Sequence, residues 1–162
     1  MKGRRNEGTG MKGSSAVEFA MALPIFIILV IGIMEFGWYF FVQHTLQYAT
    51  REGMRLALVG RTLTDGSGNA MTREASIVKT IKDEAAVAVK SAAIQVSIYP
   101  VKADFSDPTG WQNTQDAGDP GEYMRVRTRY DHKLFTPLIG SFFSGGHVVI
   151  QAEGTYRNEL FD

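Results

Sequence analysis

Glu18 is a carboxylate placed where the neighbouring sequence has no other use for one. It stands in Gly13-Ser14-Ser15-Ala16-Val17-Glu18-Phe19, and from Phe19 to Met34 no side chain is charged or polar. Within the apolar part of a membrane helix an unpartnered carboxylate costs about 2.5–3.5 kcal/mol. Proteolysis would supply the partner. A cut between Gly13 and Ser14 frees an α-amino cation at Ser14. In a staggered bundle of helices, the Ser14 ammonium of one chain reaches Glu18 of the next. That pairing fixes axial register while the apolar faces supply contact area. Phe19 lies beside the pair and limits water. Gly13 offers a protease an unhindered, extended backbone at the cut. The simpler alternative is a carboxylate at the membrane interface, favoured near a helix start by the helix dipole.

The element that must position these groups is one long helix. Phe19 to Met34 reaches about 24 Å at the helical rise, short of a ~30 Å hydrocarbon core. Extension to Val42 gives ample length but takes in Glu35. Lipid offers the backbone no hydrogen bonds, so a segment entering it must be helical. Pro24 removes one donor and crowds the carbonyl of Ala20, which predicts a local loosening. Pro24 and Glu35 are candidate helix-contact or interface positions. Glu35 is read equally as an interfacial, snorkelling carboxylate, with Trp38 and Tyr39 suited to the membrane–water boundary. From Gln43 to Val59 the pattern becomes amphipathic, with Leu46, Ala49, Gly53, Leu56 and Ala57 at three- and four-residue steps. Gln43, Gln47, Thr50, Arg51, Glu52 and Arg55 fill the other faces. The pattern predicts a helix from near Ser14 to near Val59, with Gly60 as its stop.

Residues 1–13 read as a polar, disordered leader. Lys2, Arg4, Arg5 and Lys12 stand against Glu7 alone, which places the N-terminus in the cytoplasm and the C-terminal part across the membrane. The bulky sequence after the apolar run, Glu35-Phe36-Gly37-Trp38-Tyr39, lacks the small residues of an ordinary signal-peptidase site. Formal net charge is zero, from 17 basic and 17 acidic residues. Loss of the leader takes the basic count from 17 to 13 and the acidic count from 17 to 16, about −3 overall. A global nucleic-acid-binding surface is not indicated. With no cysteine there is neither a disulfide framework nor a thiolate metal site.

The combination SSAVEFAMALPIFIILVIGIMEFG followed by ATREGMRLAL resembles the TadE-like pseudopilins of tight-adherence (Tad) pili. The resemblance covers about residues 13 to 60. It implies a bitopic minor pilin cut between Gly13 and Ser14 by a prepilin peptidase. It further implies an inner-membrane protein with a periplasmic head, which becomes extracellular on entering the pilus. Its partners would be other pilins, the inner-membrane assembly platform and membrane lipid, and its role would be Flp pilus assembly for adhesion. The sister TadF-like pseudopilins share the N-terminal pattern and are an alternative. So is a permanently anchored, single-pass periplasmic binding protein.

The remaining residues, 60–162, read as an α+β head domain. Thr72 is positioned to cap a second helix running to about Ala93, with Met71, Ala75, Val78, Ile81, Ala85 and Val89 along one side. Strands are predicted at Ile94–Ile98, Met124–Tyr130 and His147–Tyr156. Short links favour an antiparallel sheet of three or four strands packed on the second half of the long helix. Asp104 to Glu122 reads as a long loop, and Leu134 to Phe143 as a short broken helix or an apolar loop. Arg125, Arg127 and Arg129 share one strand face, which is either solvated or binds acidic groups. Asp104, Asp107, Asp116, Asp119 and Glu122 lack the alternation of a calcium loop. His44, His132 and His147 lack metal-site spacing. No catalytic motif, metal site or cofactor fingerprint stands out, so the expected role is structural rather than enzymatic.

Overall fold

The computed structural model describes residues 10–160. Helix α1 runs from Gly10 to Leu58, 49 residues without interruption, with Pro24 inside it. It starts four residues before the expected Ser14, so the Gly13–Ser14 peptide lies within the helix rather than in extended backbone. The Ser14 hydroxyl donates to Glu18 one turn further on. The chain divides into two compact units, one ending at Gly37 and the other beginning at Trp38. The first consists of the apolar part of α1, and residues 1–9 of the expected leader lie outside the described residues.

The second unit holds the rest of α1 and the whole head. Gly60 ends α1 as expected: its φ of 67° is open to glycine, and its amide returns to the Ala57 carbonyl at 3.1 Å. Thr72 caps α2 (Arg73–Ala85), its hydroxyl accepting from the Ala75 amide at 3.2 Å. The helix stops at Ala85, well before Ala93. Val87 and Val89 are stiff in helices. The amides of Ala88 and Val89 both fold back to the Ala85 carbonyl, steering the chain toward the sheet. A single 3₁₀ turn at Ser91–Ala93 follows.

Strands β1 (Ile94–Pro100), β2 (Tyr123–Lys133) and β3 (His147–Arg157) form an antiparallel sheet in the order β1-β2-β3. The fold is α+β, as the patterning predicts. Ile98 pairs with Val126, and Val126 with Gly154, so the even-numbered residues of all three strands share one face. That face meets Val42, Leu46, Ala49 and Ala57 of α1 and Ile77, Ile81 and Ala85 of α2 in one apolar core. Two glycines allow close approach. A Cβ on Gly53 would run into the Ile81 side chain, and one on Gly154 into the end of Met54.

Thr50 was expected on a polar face of α1 but is 1% exposed. Its hydroxyl lies 2.7 Å from that of Thr128 on β2 and 2.7 Å from the Leu46 carbonyl. Burying a hydroxyl is tolerable because each has a partner. A second polar clasp ties the far end of the head. Arg73 donates to the carbonyls of Gly118 (2.8 Å) and Ala57 (3.3 Å), placing a cation at the carbonyl end of α1. Buried Asn158 donates to the carbonyls of Ala117 and Asp119, while the Glu159 amide reaches the Leu58 carbonyl at 3.0 Å.

Candidate functional site

The N-terminal cluster is built by helix periodicity alone. Ser14 and Glu18 are four apart and therefore adjacent on one face. The Ser14 hydroxyl donates to a Glu18 carboxylate oxygen at 3.0 Å. Both residues are exposed, and so is Phe19. The structure thus brings Ser14 and Glu18 together, with Gly13 immediately before them and Phe19 adjoining the carboxylate in sequence. One hydroxyl satisfies only part of a carboxylate's accepting capacity, which leaves Glu18 able to accept more donors.

The apolar helix beyond this cluster has an 18-residue window of mean hydropathy 2.6 and no buried residue in that window. It is a candidate membrane span, consistent with a single-pass membrane protein. Pro24 falls within it. Glu35 differs from the other site residues in being 2% exposed. Tyr39 is half-buried, packed against the head core and edge-on to His132 at 6.2 Å between ring centroids. Of the two aromatic residues expected at the membrane boundary, Trp38 is the exposed one.

The arginine face of the sheet was the other candidate, and its surroundings were not legible in the sequence. Residues 101–122 do not form a free acidic loop. They make a strap across the odd-numbered face. Asp107 accepts from Arg125 at 2.6 Å, from Arg127 at 2.9 Å and from the Tyr99 hydroxyl at 2.9 Å. Arg127 also pairs with Glu153 and is 7% exposed. Its guanidinium lies 4.1 Å above Trp111, with that of Arg129 at 4.9 Å, a stacked arrangement favoured by the ring quadrupole. Arg129 donates to the Gln112 carbonyl. The three arginines therefore serve the strap.

Partial burial alone would push the Asp107 carboxyl up. The Tyr99 hydroxyl, Arg127 and Arg125 outweigh it and hold the group below the usual carboxylate range. Burial, reinforced by the bond to Asp107, pushes the Tyr99 hydroxyl up to about 12. Three other acids of the strap also accept local hydrogen bonds. Asp104 accepts from Ser106, Asp116 from the Gly118 amide, and Glu122 from the Asp119 amide. The strap further bonds along β1, through the Ile98 amide to the Thr114 carbonyl and the Asp116 amide to the Ile98 carbonyl, each 2.9 Å. This covers an otherwise open sheet edge.

Residues 13–55 match the model of the TadE-like protein family. The matched stretch begins at Gly13 and ends inside the packed half of α1, as the resemblance in the sequence implies. It supports a Tad-pilus-associated, pilin-like role. No curated protein and no solved structure matches the chain. The TadE-like segment therefore includes Gly13, Ser14, Glu18, Phe19, Pro24 and Glu35, whereas α2, the sheet and the strap lie beyond it. Sequence reasoning missed Thr50, Arg73 and Asn158. Only the amphipathic period gave a hint, since Thr50 adjoins Ala49 and falls one turn after Leu46.

Proposed function

We propose that this chain is a minor pilin of a Tad pilus, cut between Gly13 and Ser14 by a prepilin peptidase and then assembled through its N-terminal helix. It acts as a structural subunit and carries out no catalysis. It waits in the inner membrane as a single-pass protein with its N-terminus in the cytoplasm and residues 60–162 forming a periplasmic head. Its partners are the peptidase, other pilins and the assembly platform.

The observation that carries this reading is the exposed Glu18 carboxylate, held by Ser14 at the start of an apolar helix within the TadE-like match. In the uncut chain Ser14 offers Glu18 a neutral hydroxyl. Cutting adds an ammonium: an ion pair that neutralises the carboxylate replaces a hydrogen bond that leaves it charged. The amine at the start of one subunit then neutralises Glu18 of the next. Because the Gly13–Ser14 bond lies in the helix, the peptidase must unwind that first turn. Gly10 and Gly13, both poor helix formers, lower the cost of doing so.

N-terminal sequencing of the protein from cells with an intact pilus system tests the reading directly. Ser14 is expected as the first residue. Retention of residues 1–13 in assembled fibres would overturn it. Gly13→Leu should block the cut, and Glu18→Ala should leave cutting intact while impairing assembly.

A further inference from the structure

Between β2 and β3 the head turns apolar side chains outward. From Leu134 to Gly146 there is no charged residue. Phe135 is 67% exposed, Leu138 52% and Phe142 81%. A contiguous exposed patch of this kind marks an interaction surface. The segment has a defined shape. Its base is closed by the Leu134 amide on the Gly146 carbonyl at 3.0 Å, and its middle is the short helix α3 (Pro137–Gly140). Gly140 and Gly146 pack against each other across it.

Its position identifies the partner. The Phe135 ring lies 6.2 Å from that of Trp38, and Trp38 lies 5.4 Å from Phe41. Trp38 follows closely on the apolar stretch that ends at Met34. A tryptophan at the end of such a stretch sits at the headgroup level, so the loop adjoins α1 at the level where α1 leaves lipid. Lys133 and His147, paired across β2 and β3 at the base of the loop, set donors above the apolar tip. That order, polar base and apolar tip, is how interfacial segments seat in a bilayer.

We propose that residues 134–146 form a membrane-dipping loop, with Phe135, Leu138 and Phe142 seated at the acyl boundary of the leaflet from which α1 emerges. The proposal rests on the reading of the apolar half of α1 as a membrane span. The dipped loop gives the head a second attachment to the bilayer, one that must be withdrawn before the subunit leaves it.

The chain lacks cysteine, so single reporter thiols can be introduced cleanly. The full chain is placed in nanodiscs of phosphatidylcholine and phosphatidylglycerol, a single chain per disc. Nitroxide is attached in turn to Phe142→Cys, Leu138→Cys, Ile27→Cys within the span, and Val87→Cys, an exposed apolar site elsewhere on the head. Collision with oxygen, which enriches in lipid, is compared with collision with a water-soluble nickel chelate. Labels at 142 and 138 should favour oxygen as the label at 27 does, while the label at 87 favours nickel. If 142 and 138 behave like 87 while 27 stays in lipid, the loop proposal is overturned and the span reading stands. If 27 meets nickel freely, the span reading fails and the loop proposal with it. Protection at 142 only with several chains per disc would mean that a second copy covers the loop, which also overturns it.

Discussion

The two halves of α1 are equally helical and meet opposite surroundings. From Phe19 to Met34 nearly every large apolar side chain is exposed; Ile25, Met21 and Met34 are each at least 70% so. From Val42 to Ala57 the chain carries many more polar residues, yet Val42, Leu46 and Ala49 are completely buried. Apolar content and burial thus run in opposite directions along one element. The stripe at three- and four-residue steps, rather than total hydrophobicity, is what a head domain packs against. A stretch apolar on all sides, with none of its candidate window buried in its own fold, is a candidate membrane span.

Substitutions separate the halves most sharply. Leu46→Ala should cost the head about 2–5 kcal/mol through lost transfer energy and a cavity, whereas Ile27→Ala should leave head unfolding unchanged. Denaturant titration of the full chain in detergent, followed by near-UV signals of Trp111, measures both. An equal loss from the two would break the contrast. Overfilling the packed half tests it from the other side. Gly53→Val drives new methyl groups into Ile81 and should cost about 1–3 kcal/mol, more than Gly154→Val, where the flexible end of Met54 can swing aside.

The strap offers a smaller effect confined to the head. Asp107→Asn removes the charge that Arg125 and Arg127 share, and should cost about 1–3 kcal/mol as those charged groups lose their partner. The corresponding pH dependence follows from the carboxyl's lowered pKa. Its contribution is present above the ordinary carboxylate value of 3.8 and is lost as pH falls through the still lower value in the folded head. At the alkaline end, burial raises Tyr99 and Tyr156 to about 12. Head stability should therefore hold below pH 10 and decline as pH rises toward 12; Tyr99→Phe should reduce that decline. The smallest expected effect is the loss of the α2 cap, about 1 kcal/mol in Thr72→Ala, read as a lower denaturation midpoint.

The parts of this architecture that depend on local signals were legible in the sequence. Alternation located β2 and β3, the apolar period located the packed half of α1, and Gly60 and Thr72 marked helix ends. What escaped depends on contacts distant along the chain. Thr50 looked like an ordinary polar-face residue because its partner, Thr128, lies 78 positions away. Arg125, Arg127 and Arg129 read as a solvated or ligand-binding face because nothing local shows Asp107 and Trp111 folding over them. The end of α2 was missed for a related reason. The apolar spacing continues to Val89, but its last members feed the turn into β1. At the candidate site, residue identity and spacing sufficed to single out Ser14 and Glu18, since adjacency at four residues is a property of any helix.

The clasp made by Arg73 and Asn158 sets an order of events. Strand β3 and the residues just after it complete the sheet, and they hold carbonyls at residues 58, 117 and 119. In a polypeptide made from its N-terminus these follow every other element of the head. The stripe from Val42 to Ala57 must therefore wait, wetted or chaperoned, through synthesis of about a hundred further residues. The apolar half of α1 can settle early, but the head closes only once β3 has been made.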